Sequence, residues 1–257
     1  MEEALTDFLE HYKLTNQYPK FGCIAIAGTI DNNCVSCSVN VNWSNINGDE
    51  VAKKMNFKFL KLLNDFEAIA YSITKVDPKN MIALNTTSPT INKQEMLCIV
   101  GPGTGMGVAF LMNYVSITGD RSFKVISSEG GSIGLPMRFD QHDPLDEDLH
   151  RFFQEKLNLD GQTHVRAELF VSGKGIPLIY QFVKQKYFEG KIENWKENEF
   201  IQNLNQKQQK VTAKHIFKAA KLSQDPVALK CIDLFIMYLA LSCTQYSFTC
   251  LPIGGIV

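Results

Sequence analysis

Uninterrupted apolar runs in this sequence are short. The most hydrophobic run, Leu234–Cys243, is ten residues long and lies between Asp233 and Gln245. A spanning helix needs roughly 20 apolar residues, so the run is expected to be a buried core helix, and no membrane partner is expected. Basic runs are missing as well. With 26 Lys and Arg against 27 Asp and Glu the net charge is −1, which gives no electrostatic footing for nucleic acid. The first residues, Met1–Asp7, are acidic and hold no apolar core of the kind a secretory signal needs. Metal sites have little to build on: Cys34 and Cys37 form one C-x-x-C, and no second ligand pair follows at matching spacing. The seven cysteines scatter through apolar segments such as Gly22-Cys23-Ile24 and Leu97-Cys98-Ile99. An odd number in such settings suits reduced, buried thiols in a cytoplasmic protein.

What is present is an ordinary globular composition, 257 residues with 45% hydrophobic and 21% charged, enough for one large domain or two modest ones. Leu5, Phe8, Leu9 and Tyr12 share a face, which predicts a short amphipathic helix over 4–12. Phe21–Ile30 is an apolar strand, Asp31-Asn32-Asn33 a turn, and Cys34–Val41 a returning strand. A short helix is predicted over 51–57, entered through Gly48-Asp49. Phe59–Leu63 reads as a strand running into Asn64-Asp65, followed by a helix over 66–74. Residues 76–94 read as a polar hinge or surface excursion, with turns at Asp77-Pro78 and Ser88-Pro89. Later helices are predicted over 145–157, 176–187, 213–222 (capped by Thr212) and 226–242, the last of them buried. Residues 189–210 form a charged segment anchored by Trp195 and Phe200. Leu251–Val257 closes as an apolar strand carrying Gly254-Gly255. Strands and helices interleave throughout, so the class is α/β.

The centre of this pattern is Cys98–Phe110, in which Gly101, Gly103, Gly105 and Gly107 alternate with other residues between two apolar segments. It predicts strand, tight turn, strand. Glycine at this density costs backbone entropy and buries no side chain, so two readings stand open. One is an idle glycine-rich hairpin; the other is a nest of backbone N–H groups for a phosphate. A Rossmann turn fails because Met106 stands where the third glycine of G-x-G-x-x-G belongs, and a Walker A loop fails because no Gly-Lys-Ser/Thr follows. Three further polar sites, Asn64-Asp65, Glu129-Gly130-Gly131 and Glu168 before Ser172-Gly173, are read at ends of apolar strands, where α/β proteins place ligands. Taken singly, each carboxylate there is also read as a helix cap or a surface acid.

In order along the chain, Leu62-Leu63-Asn64-Asp65-Phe66-Glu67-Ala68, Gly101-Pro102-Gly103-Thr104-Gly105-Met106-Gly107-Val108-Ala109, Ser128-Glu129-Gly130-Gly131 and Ala167-Glu168-Leu169-Phe170-Val171-Ser172-Gly173 resemble the bacterial-type ATP-dependent glucokinases. Cys23–Gly28, Asn40-Val41-Asn42-Trp43 and Ile253–Val257 are similar to segments of the same family. The resemblance implies an actin/hexokinase-like (ribonuclease H-like) two-domain sugar kinase fold, with residues 1–75 as the remnant of a small α/β domain and 76–257 as the large one. It implies Asp65 as catalytic base toward the 6-hydroxyl of D-glucose, and Asn64, Glu129 and Glu168 holding the sugar. It implies Gly101, Gly103, Thr104 and Gly105 at the ATP phosphates, Gly254 and Gly255 beside the adenosine, and Mg2+ arriving with ATP. A homodimer is the protein partner considered.

Two departures accompany the resemblance. Ser132 stands where the family has a sugar-contacting His, and a hydroxyl lacks the reach and the titrating nitrogen of imidazole. The family's opening Asp-x-Gly-Gly-Thr-Asn hairpin and its closing helices have no counterpart in these residues. The expectation is therefore a glucokinase, with a sugar-binding pseudokinase or an inactive fragment as the alternative.

Overall fold

The structure is a computed structural model that describes residues 1–14, 17–38, 41, 43–84, 91–137, 144–159, 164–188 and 197–257. Trp195, Asn40, Asn42 and the Ser88-Pro89 turn lie outside the described residues. The chain divides into two compact units, one of residues 1–90 and 111–127, the other of residues 91–110 and 128–257. Residues 1–75 all fall in the first, together with 76–90 and 111–127.

The first unit begins with α1 (Glu2–His11), β1 (Phe21–Ile26), β2 (Ile30–Asp31), β3 (Cys34–Cys37), β4 (Ser44–Asn47), α2 (Gly48–Lys54), β5 (Phe59–Asn64) and α3 (Asp65–Ile73). β1 and β5 pair in parallel from Phe21↔Phe59 to Ile26↔Asn64. β2, β3 and β4 form a separate antiparallel sheet. The expected strand over 21–30 is thus two strands, and only Ile30–Asp31 turns back onto β3, at Ile30↔Val35. The turn at Asn32-Asn33 is as expected: both residues have positive φ, 46° and 61°, the left-handed region that a tight hairpin turn requires and asparagine tolerates.

Asn33 then does more than turn the chain. Its Nδ2 donates to the Leu60 carbonyl at 2.9 Å and to Asp49 Oδ1 at 2.7 Å, while its Oδ1 accepts from the Leu62 N–H at 2.8 Å. One side chain therefore ties the hairpin to β5 and α2. Leu9, Ile26, Val35, Val51, Leu60 and Leu62 fill the core beneath. Cys23 faces outward on β1 instead of being buried. Cys34 and Cys37, three residues apart in β3, point to opposite faces of the strand, so the C-x-x-C cannot close on one ion from this backbone.

The second unit holds β6 (Leu97–Pro102), the start of β7 (Met106–Val115), α4 (Pro144–Lys156), α5 (Ala167–Phe170), α6 (Ile176–Val183), α7 (Glu199–Gln206), α8 (Ala213–Ser223), α9 (Pro226–Cys250) and β9 (Gly255–Ile256). β8 (Arg121–Ser128) precedes α4 in sequence and forms a hairpin with β7 in the strand order β8-β7-β6-β9. β9 runs parallel to β6, Leu97↔Gly255 and Cys98↔Ile256. Of the expected strand over 251–257, Gly255–Ile256 is strand, and Val257 continues the ladder by donating to the Cys98 carbonyl and accepting from Val100. The segment 166–171, expected to end like a strand, is instead the single helical turn α5, and Glu168 stands in it.

The helix α9 is eight residues longer than the expected 226–242. Length and composition alone would let it cross a membrane, with a mean hydropathy of 1.8 over its most apolar window. Its inner side is a core face: Val227, Ala228, Cys231, Leu234, Phe235, Tyr238, Ser242 and Tyr246 are buried. The Tyr238 ring lies 4.6 Å from that of Phe170, which in turn stacks within 4.9 Å of Phe153. Each such ring removed from water contributes roughly 1.5–3 kcal/mol, and the hydroxyls are accounted for: Tyr238 donates to Asp146, and Ser242 to the Tyr238 carbonyl.

Candidate functional site

In the first unit the parallel pair ends at Asn64, and α3 starts at once. The Asn64 side chain is the reason for the sharp change. Its Oδ1 accepts from the N–H groups of Phe66 at 2.9 Å and Glu67 at 3.2 Å, satisfying two of the helix's first donors. Its Nδ2 donates to the Gly28 carbonyl at 3.0 Å. A primary amide has two N–H donors, so one remains for a ligand. Asp65 follows, exposed, with Oδ1 accepting from the Phe66 N–H at 2.9 Å.

In the second unit the other three predicted sites come together around the glycine turn. Pro102 ends β6 and Met106 begins β7, so Gly103-Thr104-Gly105 is the turn itself. Gly103 donates to the Gly105 carbonyl at 2.8 Å, and its own carbonyl accepts from Gly173 at 2.8 Å. The Ser172-Gly173 segment after α5 is therefore bonded to the turn. A side chain at Gly103 would meet nothing within 4 Å, and one at Gly105 would meet Glu168 Oε2 at 3.2 Å. The turn is open above its backbone except where Glu168 borders it. Because the Gly103 N–H is already used, the donors this turn can offer an anion are the N–H groups of Thr104 and Gly105 and the Thr104 hydroxyl.

Glu168 is held from its other side by Arg166, whose Nη1 lies 2.7 Å from Oε1. Both side chains are partly exposed, 42% and 28%, so the pair adds only about 0–1 kcal/mol to stability; what it fixes is direction. Arg166 carries no motif of its own in the sequence, and its place two residues before Glu168 was the only signal available. The backbone here is pinned to the segment after the Glu129 turn: Ala167 donates to the Ile133 carbonyl at 2.8 Å and Leu135 to the Val165 carbonyl at 2.7 Å.

Glu129 is exposed at the end of β8, and Gly130–Ser132 forms one 3-10 turn. Its glycines are required by closeness: a Cβ on Gly131 would sit 2.1 Å from the Met106 carbonyl oxygen, which backbone cannot yield. The Ser132 N–H donates to the Glu129 carbonyl at 2.9 Å and its side chain is half-buried. Tyr246, from α9, supports the turn by donating to the Gly130 carbonyl at 2.8 Å; burial pushes its phenol well above the usual range, with Cys243 and Cys98 adding to the effect. Burial likewise pushes the Cys98 thiol up to about 12, so it stays protonated.

The two terminal glycines differ. Gly254 is enclosed: it donates to the Met96 carbonyl at 2.9 Å, and a Cβ there would lie 2.5 Å from the Asn92 carbonyl oxygen. Gly255 has φ +119°, a conformation that favours glycine, and open space where a side chain would be. Of the two, Gly255 is the one with open space on that side. Among the described residues no three His, Cys, Asp or Glu side chains gather as a metal site.

The family model described as Glucokinase matches residues 1–257. A glucokinase of Synechocystis sp. is 29% identical over 241 residues, covering 91% of this chain and 62% of that protein. One of Saccharophagus degradans is 34% identical over 183 residues, 69% of this chain and 50% of that protein. The chain spans between half and two thirds of the length of these curated relatives. Among solved structures, a glucokinase from an Antarctic psychrotroph superposes with a TM-score of 0.70 at 23% identity, over 100% of this chain and 68% of that one. A ROK family glucokinase from Streptomyces griseus, in complex with glucose and AMPPNP, gives 0.55 at 16% identity, over 96% and 67%. These likenesses show the fold, that of the actin/hexokinase-like sugar kinases.

Proposed function

The chain belongs to the glucokinase family, and on that footing we propose that it transfers a phosphoryl group from ATP to the 6-hydroxyl of D-glucose, giving glucose 6-phosphate. The observation that carries the reading is the bond between the glycine turn and the Glu168 segment. Gly173 donates to Gly103, and Glu168 borders Gly105, so a hydroxyl-binding carboxylate stands beside a turn open to phosphate. An idle hairpin has no use for either feature.

In this reading Asp65 accepts the proton as the hydroxyl oxygen attacks the γ-phosphorus and ADP leaves. The free N–H of Asn64, with Glu129, Glu168 and Ser132, holds the sugar hydroxyls. Thr104 and Gly105 take the phosphate oxygens, and Gly255 lies beside the adenosine. Mg2+ enters as part of the substrate, Mg-ATP, and neutralises charge on the phosphates. Phosphoryl transfer asks little covalent chemistry of the protein beyond such positioning and charge stabilisation. A cytoplasmic location is part of the same proposal, supported by an odd number of cysteines and by a reaction that draws on ATP.

The test is to incubate the protein with Mg-ATP and glucose and identify the product by phosphorus NMR. Glucose 6-phosphate formed in step with ADP supports the reading. Glucose binding by calorimetry with no product would leave a sugar-binding protein without kinase activity, and absence of both would reject the site.

A further inference from the structure

We propose that Arg166 is a positioning residue that neutralises Glu168, so that a carboxylate serving the sugar can lie against the turn that takes the phosphates. The proposal rests on the kinase reading above. Glu168 faces two ways. One oxygen, Oε1, is 2.7 Å from the Arg166 guanidinium, and the other, Oε2, borders Gly105 at 3.2 Å from where a Cβ would be. A full negative charge at that place opposes the anion that the Thr104 and Gly105 N–H groups attract. Both sites need what they have: the sugar needs a strong acceptor, and the phosphates need a turn free of negative charge.

Arg166 resolves this conflict from behind. Its guanidinium is permanently charged and planar, and it binds the oxygen directed away from the turn. That leaves Oε2 as an acceptor while the pair is neutral as a unit. The backbone around it is held by the Ala167 bond to Ile133 and by the bridge between Gly134 and Arg166, so the guanidinium has a fixed base. Sugar and nucleotide affinity are therefore coupled through one ion pair.

The test compares wild type, Arg166→Ala, Arg166→Lys and the double variant Arg166→Ala/Glu168→Gln, reading dissociation constants for glucose and for Mg-AMPPNP by calorimetry, and KM and kcat for both substrates. Arg166→Ala is expected to weaken Mg-AMPPNP at least about fivefold, the lower range for coupling between sites, and to weaken glucose as well, with kcat changed less than KM. The double variant is expected to recover Mg-AMPPNP affinity to within about twofold of wild type while glucose stays weak, since the repelling charge has gone with the acceptor. Arg166→Lys is expected to keep nucleotide affinity and lose part of the glucose affinity, because an ammonium carries the charge without the fork. The nucleotide effect of Arg166→Ala is also expected to shrink at high salt. Unchanged affinities in Arg166→Ala, or a double variant as weak for nucleotide as the single one, overturn the proposal. A wild type that binds neither ligand rejects the kinase reading itself, a separate and recognisable result.

Discussion

The Tyr246 hydroxyl donates to the Gly130 carbonyl at 2.8 Å, joining residues 116 positions apart. The long helix α9 thus reaches the turn that carries Glu129. Tyr246→Phe keeps the ring and its packing but leaves a buried carbonyl without a partner. It is expected to cost about 1–3 kcal/mol in urea denaturation, and to weaken glucose binding because the Glu129 turn loosens. A variant with wild-type midpoint and wild-type glucose affinity would show that the turn holds without its support.

Asn33 is the corresponding support in the first unit. Asn33→Ala removes bonds to Leu60, Leu62 and Asp49 and places alanine at a φ of +61°. The expected loss is about 2–4 kcal/mol, from lost hydrogen bonds plus the left-handed penalty. Asn33→Gly relieves the second part alone, so its midpoint is expected to lie between alanine and wild type. Equal midpoints for glycine and alanine would mean the backbone conformation carries no cost there.

Acid is expected to destabilise the fold through His150. Burial holds this imidazole below its ordinary range, although Asp146, one turn earlier on α4, pulls the other way. Among the described residues its buried Nε2 has no hydrogen-bond partner, so no acceptor awaits a second proton. A group with a lowered folded pKa binds protons more readily when unfolded. Its contribution is therefore fully present above the unfolded value of about 6.5 and is lost as the pH falls through the folded value. Urea midpoints between pH 8 and pH 5 should fall below about pH 6.5 in wild type, and fall less in His150→Gln.

Local periodicity made much of the fold legible. The strand into Asn64-Asp65, the hairpin around Gly101–Gly107 and the helices after Pro144 and Thr212 follow from alternation, helical spacing and caps. The break of the first strand at residues 26–30 was not legible, because FGCIAIAGTI is apolar throughout and says nothing about where the chain leaves one sheet for another. The length of α9 was obscured by Ser242, Thr244, Ser247 and Thr249: polar in sequence, each donates to the carbonyl one turn back, and the helix continues. At the site, carboxylates and glycines stood out by type. Arg166, Tyr246 and Asn33 did not, since each acts through a partner that only the folded chain brings near.

The most direct test of the central claim is turnover by Asp65→Asn beside wild type, with Mg-ATP and glucose, and with glucose binding measured on both. The substitution keeps the shape of the side chain and removes its capacity as a base, a role worth typically about 10²–10⁴-fold in rate. Wild type is expected to form glucose 6-phosphate, and Asp65→Asn to bind glucose yet lose at least about a hundredfold in kcat. An Asp65→Asn protein that turns over at the wild-type rate would contradict that claim.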